Sequence, residues 1–248
     1  MQSLKASPIL IFGASGTIGS YSAQMLKKNN FQVLLSSSRK NKKLKDLSYR
    51  LKSDYLGFNL TKDFDANMLR KKIKKYTSSL SGIIISVALP FPNKFLHNTE
   101  DNILIRQLKI HVIALDKIIK SCLPLLEKSK KDFVPRITYI STEYLIGSPP
   151  IKIGPYLAAK SAATTYAKVL AKELINKGIK VFIVSPGMIK SNLTAELPEE
   201  YMEQIKKDLP GKRLTSANEI ALTINAIYKG YLDASYGNEI QVSNAERR

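Results

Sequence analysis

The sequence contains very little cysteine and no long hydrophobic run. Its single cysteine, Cys122, cannot form an internal disulfide, and its apolar helical surroundings favour core filling over a nucleophilic role. Apolar runs such as ILIF at 9–12 and GIIISVAL at 82–89 are far shorter than the roughly 20 residues of a membrane-spanning helix. Residues 1–16 lead into a strand and a turn without a signal-peptide cleavage region. We therefore expect a cytoplasmic protein without a membrane segment, and we predict no metal site.

Acidic residues are also few, since 20 Asp and Glu oppose 39 Lys and Arg, which gives a net charge of +19. A positive field of this size favours encounters with anions such as nucleotides, acyl carriers, nucleic acid or anionic lipid, without choosing among them. Two lysine clusters, RKNKKLK at 39–45 and RKKIKKY at 70–76, are typical of solvated helix faces. No aromatic residues alternate with these lysines to stack on bases, which disfavours specific binding of nucleic acid.

Short β-branched runs alternate with longer helical patterns along the chain. Predicted strands lie near Ile9–Gly13, Gln32–Ser36, Tyr55–Asn59, Gly82–Ala88, Arg136–Ser141, Lys180–Ser185 and Glu239–Val242. Predicted helices begin near Thr17, Lys42, Ala66, Asn102, Tyr156 and Asn218, with a further piece near Glu199–Lys207. Continuously apolar strands separated by helices indicate a parallel sheet covered on both faces. The sequence therefore predicts one α/β domain over residues 1–248, with a Rossmann-type, doubly wound parallel sheet of about seven strands.

The stretch ILIFGASGTIGS combines an apolar strand, a glycine turn and the start of a helix. Gly13, Gly16 and Gly19 let the backbone approach a pyrophosphate and let the helix pack closely on the strand. The intervening Ser15, Thr17 and Ile18 belong to the same predicted phosphate site. A plain strand-to-helix turn is the alternative. Because the strand precedes the glycines, we favour a nucleotide cofactor.

The end of the second strand predicts which nucleotide is bound. Ser38 stands where a site for NAD usually has a carboxylate that binds the ribose hydroxyls, and Arg39 and Lys40 follow it. Guanidinium and ammonium groups would hold the extra phosphate of NADP, so we favour NADP(H) over NAD(H). An exposed basic turn is the alternative. After the third strand, Asn59 and Leu60 are expected near the adenine, although Asn is also a common turn former.

Four motifs in the same order give the chain a family resemblance. They are the glycine turn, YLAAK at 156–160, VSPGMIKSNLT at 184–194 and LPGKRLTSANEIA at 209–221. With these motifs the chain resembles a short-chain dehydrogenase/reductase over nearly its whole length, and it looks most like the bacterial 3-oxoacyl-carrier-protein reductases. The resemblance implies a cofactor-dependent oxidoreductase.

The resemblance also implies roles for the residues that are expected to act on the substrate. Tyr156 would exchange a proton with the substrate oxygen, and Lys160, one helical turn later, would favour the phenolate and hold the nicotinamide ribose. Thr142 would polarise the carbonyl, with Ser141 as the second choice; a hydroxyl that only caps the backbone is the alternative. Farther along this helix we expect four residues to pack inward, namely Ala162, Ala163, Val169 and Leu170.

The motif after the sixth strand is expected to close over the nicotinamide. Pro186 and Gly187 shape the turn, while the Ile189 backbone and the Ser191 hydroxyl are expected to bind the carboxamide. The segment at about 188–213 is predicted to be a mobile lid over the substrate, with an ordinary surface helix as the alternative.

Three departures from the family pattern affect the cofactor and proton sites. Thr17 replaces a customary glycine, and Gly16 stands where an NADP-reading arginine is often found. SVAL at 86–89 replaces Asn-Asn-Ala-Gly, which leaves Ser86 and Ala88 beside the cofactor. His111 replaces an asparagine that orders a water near the lysine. It either takes over that role or is a buried histidine bonded to a main-chain carbonyl.

Taken with the resemblance, these residues predict an NADP(H)-dependent reductase that converts a ketone to a secondary alcohol. A 3-oxoacyl thioester is the leading substrate, and the basic charge suits an acidic acyl carrier protein as its carrier. The family implies a homodimer or homotetramer through the helices beside the fourth and fifth strands. The alternative is a regulatory or scaffold protein that binds the nucleotide without turnover. His97, in the loop after the fourth strand, either faces the substrate or is an ordinary polar loop residue.

Overall fold

The computed structural model describes residues 7–38, 42–129, 133–147, 149–195 and 197–244. Within these residues, seven strands form one sheet in the order β3-β2-β1-β4-β5-β6-β7, and all neighbouring strands run parallel. The strands are β1 (Ile9–Phe12), β2 (Val33–Ser37), β3 (Tyr55–Gly57), β4 (Gly82–Ile85), β5 (Arg136–Ile140), β6 (Lys180–Pro186) and β7 (Glu239–Val242). The predicted doubly wound parallel sheet in a single α/β domain is confirmed.

The α-helices of the described chain cover both faces of this sheet. They are α1 (Thr17–Lys28), α2 (Lys42–Leu51), α3 (Ala66–Ile73), α4 (Asp101–Leu108), α5 (Ala114–Lys128), α6 (Gly154–Ile175), α7 (Glu199–Asp208) and α8 (Ala217–Tyr228). One apolar core lies between the sheet and α3, α5 and α6, and a second lies between the sheet and α1, α2 and α8. No helix in the described ranges is long and apolar enough to cross a membrane.

The helical region predicted to begin near Asn102 is interrupted. A π-helical turn, Lys109–Ile113, separates α4 from α5. Such a turn inserts one extra residue into the helical ladder and often occurs at functional sites. His111 lies in its middle, on the side that is buried against α6.

Two predicted strands end at least two residues earlier than expected, and both ends lead into the site. β3 ends at Gly57 because Asn59 folds the chain into a turn, in which its side chain accepts hydrogen bonds from Thr61. β4 ends at Ile85, and after the Ser86 N–H donates to the Phe12 carbonyl the chain turns away from the sheet. The apolar run at 82–89 therefore extends past the end of β4, which is why the sequence predicted too long a strand.

The packing prediction for α6 is half correct. Ala163 and Leu170 are buried, but Ala162 is exposed and Val169 is 50% exposed, so the prediction for these two residues was wrong. The buried stripe repeats every three or four residues through Ala163, Ala167, Leu170 and Leu174, and Ala162 and Val169 lie to one side of it. Apolar character alone does not show which side of a helix is buried.

Candidate active site

A cleft of about 380 Å³ opens at the carboxyl ends of the central strands. Its walls come from the loops after β1, β2, β3, β4, β5 and β6 and from the first turns of α6. In a doubly wound sheet this edge is where ligands bind, because the strand order reverses there and the loops on either side separate. The fold therefore brings the glycine turn and the Tyr-x-x-x-Lys motif to one place.

The glycine turn is specified by contacts that only glycine allows. Gly13 has φ +80°, and a Cβ there would overlap the Ser86 carbonyl oxygen. A Cβ at Gly19 would overlap the Gly13 carbonyl oxygen, so Gly19 lets α1 pack against the turn without lining the cleft. Gly16 caps α1 without a side-chain hydrogen bond, and it lines the cleft. Because no side chain at this cap accepts a hydrogen bond from the first N–H groups of α1, the helix N-terminus at the cleft suits an anion such as a pyrophosphate.

Most of the predicted cofactor residues meet at this cleft. Those lining it are Gly13, Ser15, Gly16, Thr17, Ile18, Leu60, Ser86, Ala88, Pro186, Gly187, Ile189 and Ser191, together with Ser38. Asn59 does not line it, because the carbonyl oxygen of its side chain accepts from the Thr61 N–H at 2.9 Å and from the Thr61 hydroxyl at 2.7 Å. The predicted phosphate-binding pair, Arg39 and Lys40, lies outside the described residues.

Tyr156 lies in the first turn of α6 and is 4% exposed. Burial raises the pKa of its phenol, and a side-chain hydrogen bond with Thr142 opposes that rise. The Phe91 ring packs edge-on against Tyr156, with the ring centroids 5.0 Å apart. The phenol is therefore protonated at neutral pH, and the hydroxyl next to it belongs to Thr142.

Lys160 lies one turn later on α6 and is also buried. Its Nζ donates a 2.6 Å hydrogen bond to the Ile140 carbonyl at the end of β5. Burial lowers the pKa of Lys160 to about 7, so its charge changes near neutrality. The ammonium lies 5.9 Å from the centroid of the Tyr156 ring. Phenol and ammonium thus share one buried wall of the cleft.

The two candidate hydroxyls after β5 have different partners. The Ser141 hydroxyl is hydrogen bonded to the Thr164 hydroxyl at 2.6 Å, in a buried pair. The Thr142 hydroxyl caps the short turn that follows, where it accepts from the Tyr144 N–H at 3.4 Å, and it lies near enough to the Tyr156 phenol to oppose the rise in the pKa of that group. Both residues line the cleft, but Thr142 contacts the phenol. This geometry agrees with the preference for Thr142 over Ser141.

His111 lies behind Tyr156 instead of lining the cleft. The two rings pack edge to face, with centroids 5.5 Å apart and planes at 82°. His111 is 2% exposed, and neither of its ring nitrogens has a hydrogen-bond partner in the part of the chain that the structure describes. Burial, and then the charge of Lys160, lowers the pKa of His111 well below its usual value, so the imidazole is neutral. The main-chain carbonyl partner that one interpretation expected is not found among these residues.

His97 stands apart from the site. It is exposed, stacks on Phe95 with the ring centroids 5.7 Å apart, and is not among the residues of the cleft wall. The structure thus places it as a polar loop residue.

An apolar cluster that includes residues of α7 adjoins the cleft at Tyr144, Tyr156 and Met188. Met202, Ile205 and Leu209 of the segment 188–213 pack in one cluster with Tyr156 and Tyr144. Among the described residues of the cleft wall, none is a carboxylate, a guanidinium or a histidine, and Lys160 is the lone ammonium. These three residues of the predicted lid segment therefore belong to the same apolar cluster as the Tyr156 ring.

Several residues of the cleft were missed from the sequence. Thr194 holds the turn after β6, because its hydroxyl donates to the Ile189 carbonyl at 2.8 Å and accepts from the Ser191 N–H at 2.9 Å. A threonine three residues after a serine in SNLT was a readable signal for such a turn. Others gave no polar signal because they are apolar wall residues: Phe12, Phe58, Val87, Leu89, Pro90, Phe91, Ile110, Ile140 and Met188.

Comparisons with known proteins agree with this geometry. The family model described as enoyl-(acyl carrier protein) reductase matches residues 13–243. The 3-oxoacyl-[acyl-carrier-protein] reductase of Buchnera aphidicola subsp. Schizaphis graminum is 31% identical over 244 residues, covering 94% of each chain. The enzyme of the same name from Rickettsia felis is 32% identical over 213 residues, covering 85% of this chain and 84% of the relative.

Solved structures share the fold at lower identity. The Pseudomonas aeruginosa RhlG/NADP active-site complex superposes with a TM-score of 0.88 at 22% identity, covering 98% of this chain and 97% of that one. The NADP-bound 3-oxoacyl (acyl-carrier-protein) reductase from Agrobacterium tumefaciens C58 gives a TM-score of 0.86 at 17% identity, covering 97% and 94%. At these identities the structures establish the fold. The family model and the curated relatives confirm the resemblance: the chain belongs to the short-chain dehydrogenase/reductase family, near its 3-oxoacyl-carrier-protein reductase members.

Proposed function

We propose that this oxidoreductase uses NADP(H) to reduce a ketone to a secondary alcohol, with Tyr156 as the proton donor. The observation that carries the proposal is the buried pair of Tyr156 and Lys160 on one wall of the cleft, which Thr142 also lines. Burying a phenol and an ammonium costs stability, and buried titratable groups with shifted pKa values in a cleft are typical of functional sites.

The site fits a dinucleotide. The close approach of the backbone at Gly13 and the uncapped start of α1 suit the pyrophosphate, and Ile189 and Ser191 lie where the nicotinamide end would be held. The bound NADPH would supply the hydride. Ser36, Ser37 and Ser38 line the cleft at the end of β2 without a carboxylate that would repel a 2′-phosphate. NADP in the two structural neighbours and the expected contribution of Arg39 and Lys40 support NADP(H) over NAD(H).

The protein residues act on the substrate oxygen. Thr142 and Tyr156 would both donate hydrogen bonds to the carbonyl, which orients it and favours negative charge on its oxygen. Tyr156 then passes its proton to that oxygen as the alkoxide forms. The burial that raises the pKa of Tyr156 keeps it protonated until this step, and the charge of Lys160 stabilises the phenolate that is left.

The walls of the site indicate an uncharged, apolar substrate. The cluster around Tyr144, Met188 and Met202 offers apolar contacts, and the described cleft wall has no guanidinium to bind a carboxylate or phosphate on the substrate. A 3-oxoacyl thioester fits this chemistry and is the substrate class in the names of the curated relatives. The net charge of +19 would attract an acidic acyl carrier protein that delivers it.

The proposal keeps three further expectations from the sequence. The segment 188–213 acts as a lid that opens for substrate, the protein assembles as a homodimer or homotetramer, and it works in the cytoplasm. Limited proteolysis with and without ligand, light scattering and cell fractionation test these three in turn.

Cofactor binding and turnover test the proposal together. NADPH and NADH are titrated by fluorescence, and the loss of reduced cofactor is then followed with a panel of 3-oxoacyl thioesters and simple ketones. Tight binding of NADPH and turnover of an apolar ketone are expected. Binding without turnover on the whole panel would favour a regulatory or scaffold protein. Failure to bind either nucleotide would reject both interpretations.

A further inference from the structure

Tyr139 is a buried phenol that the proposed chemistry does not use. It lies in β5 at the centre of the sheet, paired with Ile85 on one side and Ile183 on the other, and is 2% exposed. Its hydroxyl has no hydrogen-bond partner within the described ranges of the chain. Burying this hydroxyl without a partner costs stability, and phenylalanine would fill the same space without that cost. A role for Tyr139 must therefore be sought in its ring and not in its hydroxyl.

The ring of Tyr139 contacts the Lys160 ammonium. Lys160 Nζ lies 4.9 Å from the Tyr139 ring centroid, within the cation–π range of about 6 Å and closer than it lies to the Tyr156 ring. Its hydrogen bond goes to the carbonyl of Ile140, the next residue of the same strand. β5 therefore holds the ammonium twice, with the Tyr139 ring and the Ile140 carbonyl.

No carboxylate among the described residues forms an ion pair with Lys160. The titratable groups that face it are Tyr156 from its own helix, His111 from the π-helical turn and Tyr139 from β5. Tyr156 is protonated and His111 is neutral, so neither supplies negative charge near neutral pH. Burial alone would drive Lys160 towards its neutral form. Besides the Ile140 carbonyl, the face of the Tyr139 ring is the remaining group among the described residues that favours the cation.

We propose that Tyr139 is a positioning residue for Lys160: its ring face holds the ammonium over β5 and keeps it charged in the absence of a carboxylate. This inference rests on the proposed function insofar as Lys160 assists Tyr156. Without the ring, Lys160 would lose its proton at a lower pH. The expected shift in its titration is about half a unit to one and a half units, the size of a desolvated cation–π contact.

The test measures the titration of Lys160 itself in the full-length protein. Lysine is labelled at Cε with ¹³C, and the Lys160 signal is the one that disappears in Lys160→Met. In Tyr139→Leu the midpoint should move to lower pH, whereas Tyr139→Phe, which keeps the ring, should retain the wild-type midpoint. The alkaline limb of the kcat/KM profile should move in the same direction in Tyr139→Leu.

A control separates this effect from a simple loss of packing. Phe182 is fully buried on the neighbouring strand β6, in the core on the other side of the sheet. Phe182→Leu should lower stability without moving the Lys160 midpoint. An unchanged midpoint in Tyr139→Leu, or an equal shift in Tyr139→Phe or Phe182→Leu, would overturn the inference. If the wild type reduces no ketone but the midpoint still moves as expected, the inference stands and the proposed function fails.

Discussion

The imidazole of His111 lies edge-on to the ring of Tyr156, with the centroids 5.5 Å apart, and neither imidazole nitrogen is hydrogen bonded within the described chain. This contact joins the π-helical turn to the first turn of α6. A neutral imidazole can both donate and accept a proton, so it can serve a phenol that must be reprotonated after each turnover. The same unpartnered nitrogens weaken the fold.

Substitution of His111 should therefore change stability and catalytic rate in opposite directions. We expect His111→Phe, which keeps the ring contact and removes the buried polar atoms, to raise the free energy of unfolding by about 1–3 kcal/mol. The interpretation of His111 as a proton-passing group also predicts that the kcat of this variant falls about tenfold or more. His111→Asn should lose less activity. Urea unfolding and steady-state kinetics check both effects, and full activity in His111→Phe would reduce the imidazole to a packing role.

Lys160 should make the stability of the protein depend on pH in a defined direction. Its pKa is about 7 in the folded protein, against an ordinary value of 10.5 for lysine, so between these pH values the unfolded chain binds more protons. Stability contributed by Lys160 is therefore lowest below pH 7 and rises as the pH increases from about 7 towards 10.5. Across this pH range, the free energy of unfolding of the wild type should rise by a few kcal/mol relative to that of Lys160→Met. Urea unfolding of the two proteins at several pH values measures the difference, and a difference that does not change with pH would contradict it.

Substituting Gly13 should cost more stability than its positive φ alone would, because a Cβ there meets the backbone at close range. Gly13→Ala places a Cβ against the Ser86 carbonyl oxygen at a positive φ, and we expect a loss of roughly 3 kcal/mol or more together with weaker NADPH binding. Gly178 also has a positive φ, +69°, but has open space around its missing Cβ. Gly178→Ala should cost about 1 kcal/mol and leave cofactor affinity unchanged. Equal effects of the two substitutions would show that the contact at Gly13 has no influence.

The lid contact should control substrate affinity. Ile205 is buried in the cluster that includes Tyr156, so Ile205→Ala should raise KM for a long-chain ketone several-fold and increase cleavage of the segment 188–213 by a protease. Tyr201, 44% exposed on the same helix, provides the matched control. If Tyr201→Ala raises KM as much as Ile205→Ala, the buried face of α7 is not what closes the site.

The fold was predictable because its signals are local. The glycine turn follows an apolar strand, and YLAAK begins a helix, so each motif could be placed on its element before the sheet order was known. Contacts across the sheet have no such signal. Nothing in RITYI distinguishes the Tyr139 ring beneath Lys160 from ordinary core, and nothing in LKIHVIAL marks a π-helical turn. Asn59 differs from these residues, because its sequence signal was local: its side chain accepts hydrogen bonds from Thr61 in a turn, as expected of a common turn former, instead of lining the cleft.

The most direct test of the account is a single-turnover experiment with NADPH bound and an apolar ketone added, comparing the wild type with Tyr156→Phe. The account predicts that both proteins bind NADPH with similar affinity and that hydride transfer in Tyr156→Phe is slower by about two to four orders of magnitude. Transfer at the wild-type rate in Tyr156→Phe would contradict the assignment of Tyr156 as the proton donor.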